Sequence, residues 1–103
     1  MLRLVLAVCA IGATAAIADT ARAEGEFGVL KEAPGVASVY YNCTACHSER
    51  LIAQQGLSRA HWADLMDWMW AEMGMHEIPE DEVDEILDYL EAHYNEDRPN
   101  YPY

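Results

Sequence analysis

Three cysteines in 103 residues are too few for a disulfide framework, and one of them, Cys9, falls in an N-terminal stretch that reads as cleaved. Cys43 and Cys46 remain, with no second cysteine pair to complete a four-ligand structural zinc site. Basic residues are as scarce. Six Lys and Arg stand against 18 Asp and Glu, and none lies between residues 60 and 97. A chain of net charge −12 is repelled by nucleic acid and by anionic membrane surfaces, which excludes both as natural partners. Also missing are a strand-like alternation of apolar and polar residues, an internal repeat and a linker.

No apolar run reaches the roughly 20 residues that a membrane-spanning helix needs. The longest uncharged one, Leu4 to Ala18, follows a short positive start, Met1-Leu2-Arg3, and precedes a small-x-small site, Ala21-Arg22-Ala23. The expected organisation is therefore a cleaved signal peptide over residues 1–23 and one exported domain over 24–103, with no membrane anchor after cleavage. Lipid modification of Cys9 is disfavoured because Val8 stands where such processing prefers a small residue. Losing Arg3, Arg22 and Asp19 removes two positive charges and one negative, taking the net charge from −12 to −13. A domain of this size buries only about 60% of its unfolded surface and needs a further source of stability.

Cys43-Thr44-Ala45-Cys46-His47 points to that source, because Cys-x-x-Cys-His is the attachment signature of c-type haem. Two thiols three positions apart can each add to a porphyrin vinyl group, while the next residue presents an imidazole to the iron. A redox dithiol and half a zinc site share Cys-x-x-Cys, but the first wants a strand-helix setting and the second four ligands. The expectation is one covalent haem c, with thioethers at Cys43 and Cys46 and proximal ligation by His47.

Around the motif the pattern is helical. Pro34-Gly35 opens a helix-compatible run from Val36 to Cys46, and Glu49 to Leu57 reads as a loop. Ser58 caps a second helix, Arg59 to Met73, stopped by Gly74; Trp62, Leu65, Met66, Met69 and Met73 share one face of it. A third helix starts at about Pro79, with Val83, Ile86, Leu87, Leu90 and Tyr94 as a buried stripe and acids opposite. Asn95 to Tyr103, with Pro99 and Pro102, reads as an irregular tail. The expected fold is all-α, three to four helices around one haem.

The distal ligand has several candidates. Met66, Met69 and Met73 belong to an apolar stripe and read as core filling, whereas Met75 sits on a loop between Gly74 and Pro79 and is the preferred ligand to iron. Met73, Met69 and His76 stay open as alternatives. His61 and His93 read as surface or core residues. Arg50 is a candidate for a haem propionate or a partner's surface, against the plainer reading of an exposed solubilising arginine. Tyr40 and Tyr41 suit the haem edge or helix packing alike. Trp62, Trp68 and Trp70 cannot share one helix face, so at least one is partly exposed. The acidic surface suits electrostatic steering towards a redox protein with a basic docking face.

Beyond the haem motif, Ser48-Glu49-Arg50, Gln54-Gln55-Gly56-Leu57, Trp62, Trp68-Met69, Gly74-Met75, Ile86-Leu87-Asp88-Tyr89-Leu90 and Arg98-Pro99-Asn100 follow in order. Over nearly all of the mature chain this resembles the small cytochrome c subunits of bacterial periplasmic sulfite dehydrogenases. The resemblance implies a small class I-like cytochrome c fold, haem attachment in the periplasm, and Met75 as distal ligand. It implies a molybdopterin dehydrogenase subunit as electron donor and a downstream cytochrome or oxidase as acceptor. The chain departs from many small cytochromes at Met75-His76-Glu77-Ile78, where they run from methionine into proline. Six-coordinate iron has no open position, so the expected role is electron transfer and not catalysis. A freely diffusing periplasmic carrier for another dehydrogenase, and a haem-based binder or sensor of nitric oxide, are the alternatives.

Overall fold

The computed structural model describes residues 25–99 together with Gly12, so the expected signal peptide apart from that glycine, Glu24 and the last four residues lie outside the described residues. Four helices follow in order: α1 (Val36–Cys43), α2 (Glu49–Ala53), α3 (Arg59–Glu72) and α4 (Glu80–His93). Among the described residues the only strand-like feature is an isolated bridge between Gly25 and Gly28, so the fold is all-α. None of the described helices is long and apolar enough to cross a membrane.

Each helix begins where local chemistry allows it. Gly35 stands before α1 at φ 93°, a left-handed conformation costly for other residues. A Cβ there would lie 3.0 Å from Cβ of Tyr89 and 3.2 Å from the carbonyl of Glu85, so glycine also lets α1 start against α4. The Ser48 and Ser58 side chains accept hydrogen bonds from the amides of Arg50 and His61, both at 3.3 Å, and so cap α2 and α3. Pro79 leads into α4, whose first turn holds Glu80, Asp81 and Glu82 at the positive end of the helix dipole.

Two boundaries differ from the sequence expectation. α1 ends at Cys43 instead of Cys46: the Thr44 amide makes the last helical bond, to the Tyr40 carbonyl at 3.0 Å, and Thr44, at φ −83° and ψ 2°, turns the chain out of the helix. The expected loop of residues 49–57 contains α2; its five residues are too few for a hydrophobic period to register, and only the Ser48 cap marks it. α3 and α4 start where expected, and α3 stops one residue short, with Met73 as its C-cap.

α4 is the central element, with α1 and α3 both packed on it. The core joins Leu30, Val36, Val39, Trp62, Met66, Ile86, Leu87, Tyr89, Leu90 and Tyr94. Tyr89, flanked by Asp88 and outside the expected stripe, is only 1% exposed. Its hydroxyl donates to the Lys31 carbonyl at 2.6 Å, the Lys31 amide donates to the Tyr94 hydroxyl at 3.1 Å, and burial holds the Tyr89 phenol well above its ordinary pKa. These bonds tie the segment before α1 to α4. Phe27, Tyr40 and Tyr41 pack edge to face at centroid separations of 5.5 to 6.2 Å.

The far end of α4 organises the α2–α3 connection. The Tyr94 carbonyl accepts from the Trp62 indole and the Leu57 amide, both at 3.0 Å. Arg98 stacks 4.8 Å over the Tyr94 ring and donates to the carbonyls of Ala53 and Gln55 at 2.6 and 2.8 Å. Along the exposed side, Arg59 meets Asp88 at 2.6 Å, Glu91 at 2.8 Å and Asp84 at 4.0 Å. One cation from α3 thus serves three carboxylates of α4.

Candidate haem site

The motif sits where α1 stops. Cys43 is the last helical residue and half-buried, while Cys46 and His47 are exposed on the turn that follows. Burial pushes the Cys43 thiol up to about 11, the opposite of the depressed value that a redox dithiol needs. Among the described residues no three His, Cys, Asp or Glu side chains converge as a metal site. A preformed zinc cluster therefore does not arise from Cys43, Cys46 and His47.

These three residues line one wall of a cavity of about 280 Å³. α2 and the residue string after it add Leu51, Ile52 and Gln55; α3 adds Trp62, Leu65, Met66, Trp68 and Met69; Leu90 of α4 contributes from the core. The connection after α3 adds Met73, Met75 and His76. Apolar groups dominate, as ligand sites of this kind require. Two thiols, an imidazole and a thioether sulfur on an apolar cavity are the donor set that a covalent, axially ligated haem needs, and the residues fit that group.

The connection carrying Met75 is held at both ends. Gly74 takes φ 72°, reversing the chain after α3, and the Met69 carbonyl accepts from the amides of Met73 and Met75, each at 3.1 Å. On the other side, His76 Nε2 lies 2.7 Å from Asn42 Oδ1, across 34 residues of sequence. Asn42 Nδ2 donates to the Ser38 carbonyl at 2.8 Å and to Glu82 Oε1 at 2.6 Å. Both of those atoms only accept, so Oδ1 faces His76 and the imidazole donates from Nε2. Asn42 thereby joins α1, α4 and the Met75 connection immediately beside Cys43.

Four of the five expected site residues, Cys43, Cys46, His47 and Met75, come together on this cavity. Arg50 does not line it; that residue is exposed on α2. Met66, Met69, Met73 and His76 also line it, so cavity lining alone does not separate Met75 from its rivals. His61 is exposed away from the cavity, and His93 packs edge-on to Tyr89 at 5.1 Å. Tyr40 and Tyr41 pair with Phe27 and leave the cavity wall to others. Asn42 was not legible as a site residue. A polar residue before Cys43 carries no signal until α4 and the Met75 connection are brought against it.

Comparison of the chain with protein-family models, curated proteins and solved structures finds no match in any of the three.

Proposed function

We propose that this chain is a c-type cytochrome, an electron-transfer protein with one covalent haem. More particularly, we propose the haem subunit that takes electrons from a periplasmic molybdenum-containing sulfite dehydrogenase. The observation that carries the first step is the meeting of Cys43, Cys46 and His47 with Met75 on one apolar cavity. The second step is supported by the resemblance along the chain and by the acidic surface. When bound, the haem supplies a one-electron Fe(III)/Fe(II) couple.

The residues divide the work. Cys43 and Cys46 hold the ring, and His47 supplies the proximal nitrogen. Gly74 and the Met69 carbonyl present Met75 as distal ligand. The hydrogen bond from His76 Nε2 to Asn42 engages that imidazole nitrogen, which favours the methionine over bis-histidine ligation. The apolar lining would favour the state of lower net charge in a bound haem. Carboxylates on α3 and α4 attract a positively charged partner and repel nucleic acid.

Expression with the native leader in a bacterium competent for haem attachment tests the first step. A protein that keeps haem through denaturing electrophoresis, is low-spin when ferric and shows a sulfur-to-iron band at the red edge is expected, with Met75→Ala losing the band. A high-spin ferric spectrum would refute the carrier role and favour a ligand binder. Sulfite-dependent reduction by the co-purified or separately produced molybdenum enzyme tests the second step; no reduction would reassign the donor.

A further inference from the structure

Besides Val29 and Tyr41, the large exposed apolar side chains lie on α2, on α3 or at its C-cap. Leu51, Trp68 and Met73 line the candidate haem cavity, so a bound group covers them. Trp70 is 55% exposed and does not line it. Two positions beyond Trp68 on α3, it points about 200° round the helix. There it lines a second cavity of about 260 Å³ with Asp67, Glu77, Ile78 and Val83.

The two cavities stand back to back. Met66, Met75 and His76 line both, so the Trp70 cavity adjoins the candidate haem cavity across those side chains. The rim is acidic. Asp67 and Glu77 belong to its wall, Asp64 and Glu80 are exposed on the flanking helices, and no lysine or arginine occurs from residue 60 to 97. A second copy of this chain would set these carboxylates against their own kind, and like charges in an interface are strongly unfavourable.

We propose that the Trp70 groove docks a basic redox protein, with an apolar side chain of the partner between Trp70 and Ile78 and its lysines or arginines on Asp67 and Glu77. Met75 then forms the shared wall through which one electron passes, with no proton or atom exchanged. A half-exposed tryptophan within a ring of charge is the residue type that dominates interface energetics, and the charge accelerates encounter. The proposal rests on the haem reading and adds to it a face and a partner chemistry.

The test uses the exported haem protein, reduced, with a ferric lysine-rich mitochondrial-type cytochrome c as the acceptor, in stopped-flow mixing at low and physiological ionic strength. Trp70→Ala and, independently, Glu77→Lys are expected to lower the second-order rate about tenfold or more. Glu96→Lys, at the opposite end of α4, should change it less than about twofold, as should either groove variant with hexacyanoferrate as a small acceptor. An unaltered rate for Trp70→Ala, an equal loss for Glu96→Lys, or a matching loss with hexacyanoferrate would each overturn the proposal. Failure to attach haem would refute the cytochrome reading instead, and is seen in the spectrum before any mixing.

Discussion

Asn42→Ala releases the bond that holds the Met75 connection against α1. The variant removes the 2.7 Å contact to His76 and the two bonds from Nδ2 to the Ser38 carbonyl and Glu82. A neutral, exposed hydrogen bond contributes about 1 kcal/mol, which corresponds to about fivefold in the balance between docked and released connection. The Met69 carbonyl still holds the Met75 amide at 3.1 Å, so release is partial. Alanine is the better helix former by about 0.6 kcal/mol and offsets part of the loss within α1, so global stability moves little. With haem bound and Met75 its ligand, as proposed, added imidazole would compete with Met75 in the ferric protein, and its apparent affinity would rise as the connection releases more readily. Titration followed at the sulfur-to-iron band should therefore show binding about fivefold tighter in Asn42→Ala. Glu82→Gln, which keeps an acceptor for Asn42, should stay near wild type. An imidazole affinity unchanged in Asn42→Ala would refute the positioning role assigned to this residue.

Three further outcomes are expected. Leu90 is 2% exposed and lines the candidate haem cavity, so Leu90→Ala should cost about 2–5 kcal/mol in urea unfolding; a smaller loss would mean that the site collapses around the gap. Arg59→Gln leaves Asp84, Asp88 and Glu91 without their shared cation, so it should lower the unfolding midpoint and recover part of the loss in high salt; no salt recovery would refute the electrostatic account. Burial first, then the charge of Lys31, holds His93 below its ordinary pKa of 6.5, so the unfolded chain takes up the proton before the folded one as pH falls. Stability should decline as pH falls below about 6.5, and His93→Gln should flatten that decline in denaturant titrations; equal slopes would exclude His93 as a contributor.

Elements written in local chemistry were legible and those written in distance were not. Ser58, the spaced apolar residues after it and Gly74 mark α3 to within one residue, because a cap and a 3.6-residue period are properties of neighbours. α2 escaped because its five residues show no period, and α1 ran too long on paper because Thr44-Ala45-Cys46 holds no glycine or proline to signal the turn that Thr44 makes at φ −83° and ψ 2°. Tyr89 lay outside the expected stripe. Its burial depends on the segment around Lys31 folding back over α4, which no periodicity in α4 records. The tryptophans follow the same division: helical spacing requires Trp68 and Trp70 to diverge, but which faces the haem cavity depends on where α1 packs.

By itself the sequence determined the all-α type of fold and carried the motif on which the proposed haem chemistry rests. Cys43, Cys46 and His47 are adjacent in the chain, so their spacing is readable without a structure, and the helical stripes and the acid-rich stretch are equally local. Tertiary structure decided which distant groups meet that motif. Met75 reaches the cavity because Gly74 reverses the chain, Asn42 and His76 bond across 34 residues because α1 and α3 both pack on α4, and Trp70 is left on the outer face. A contact between residues so far apart depends on the summed packing of three helices, and no short window of sequence contains that sum.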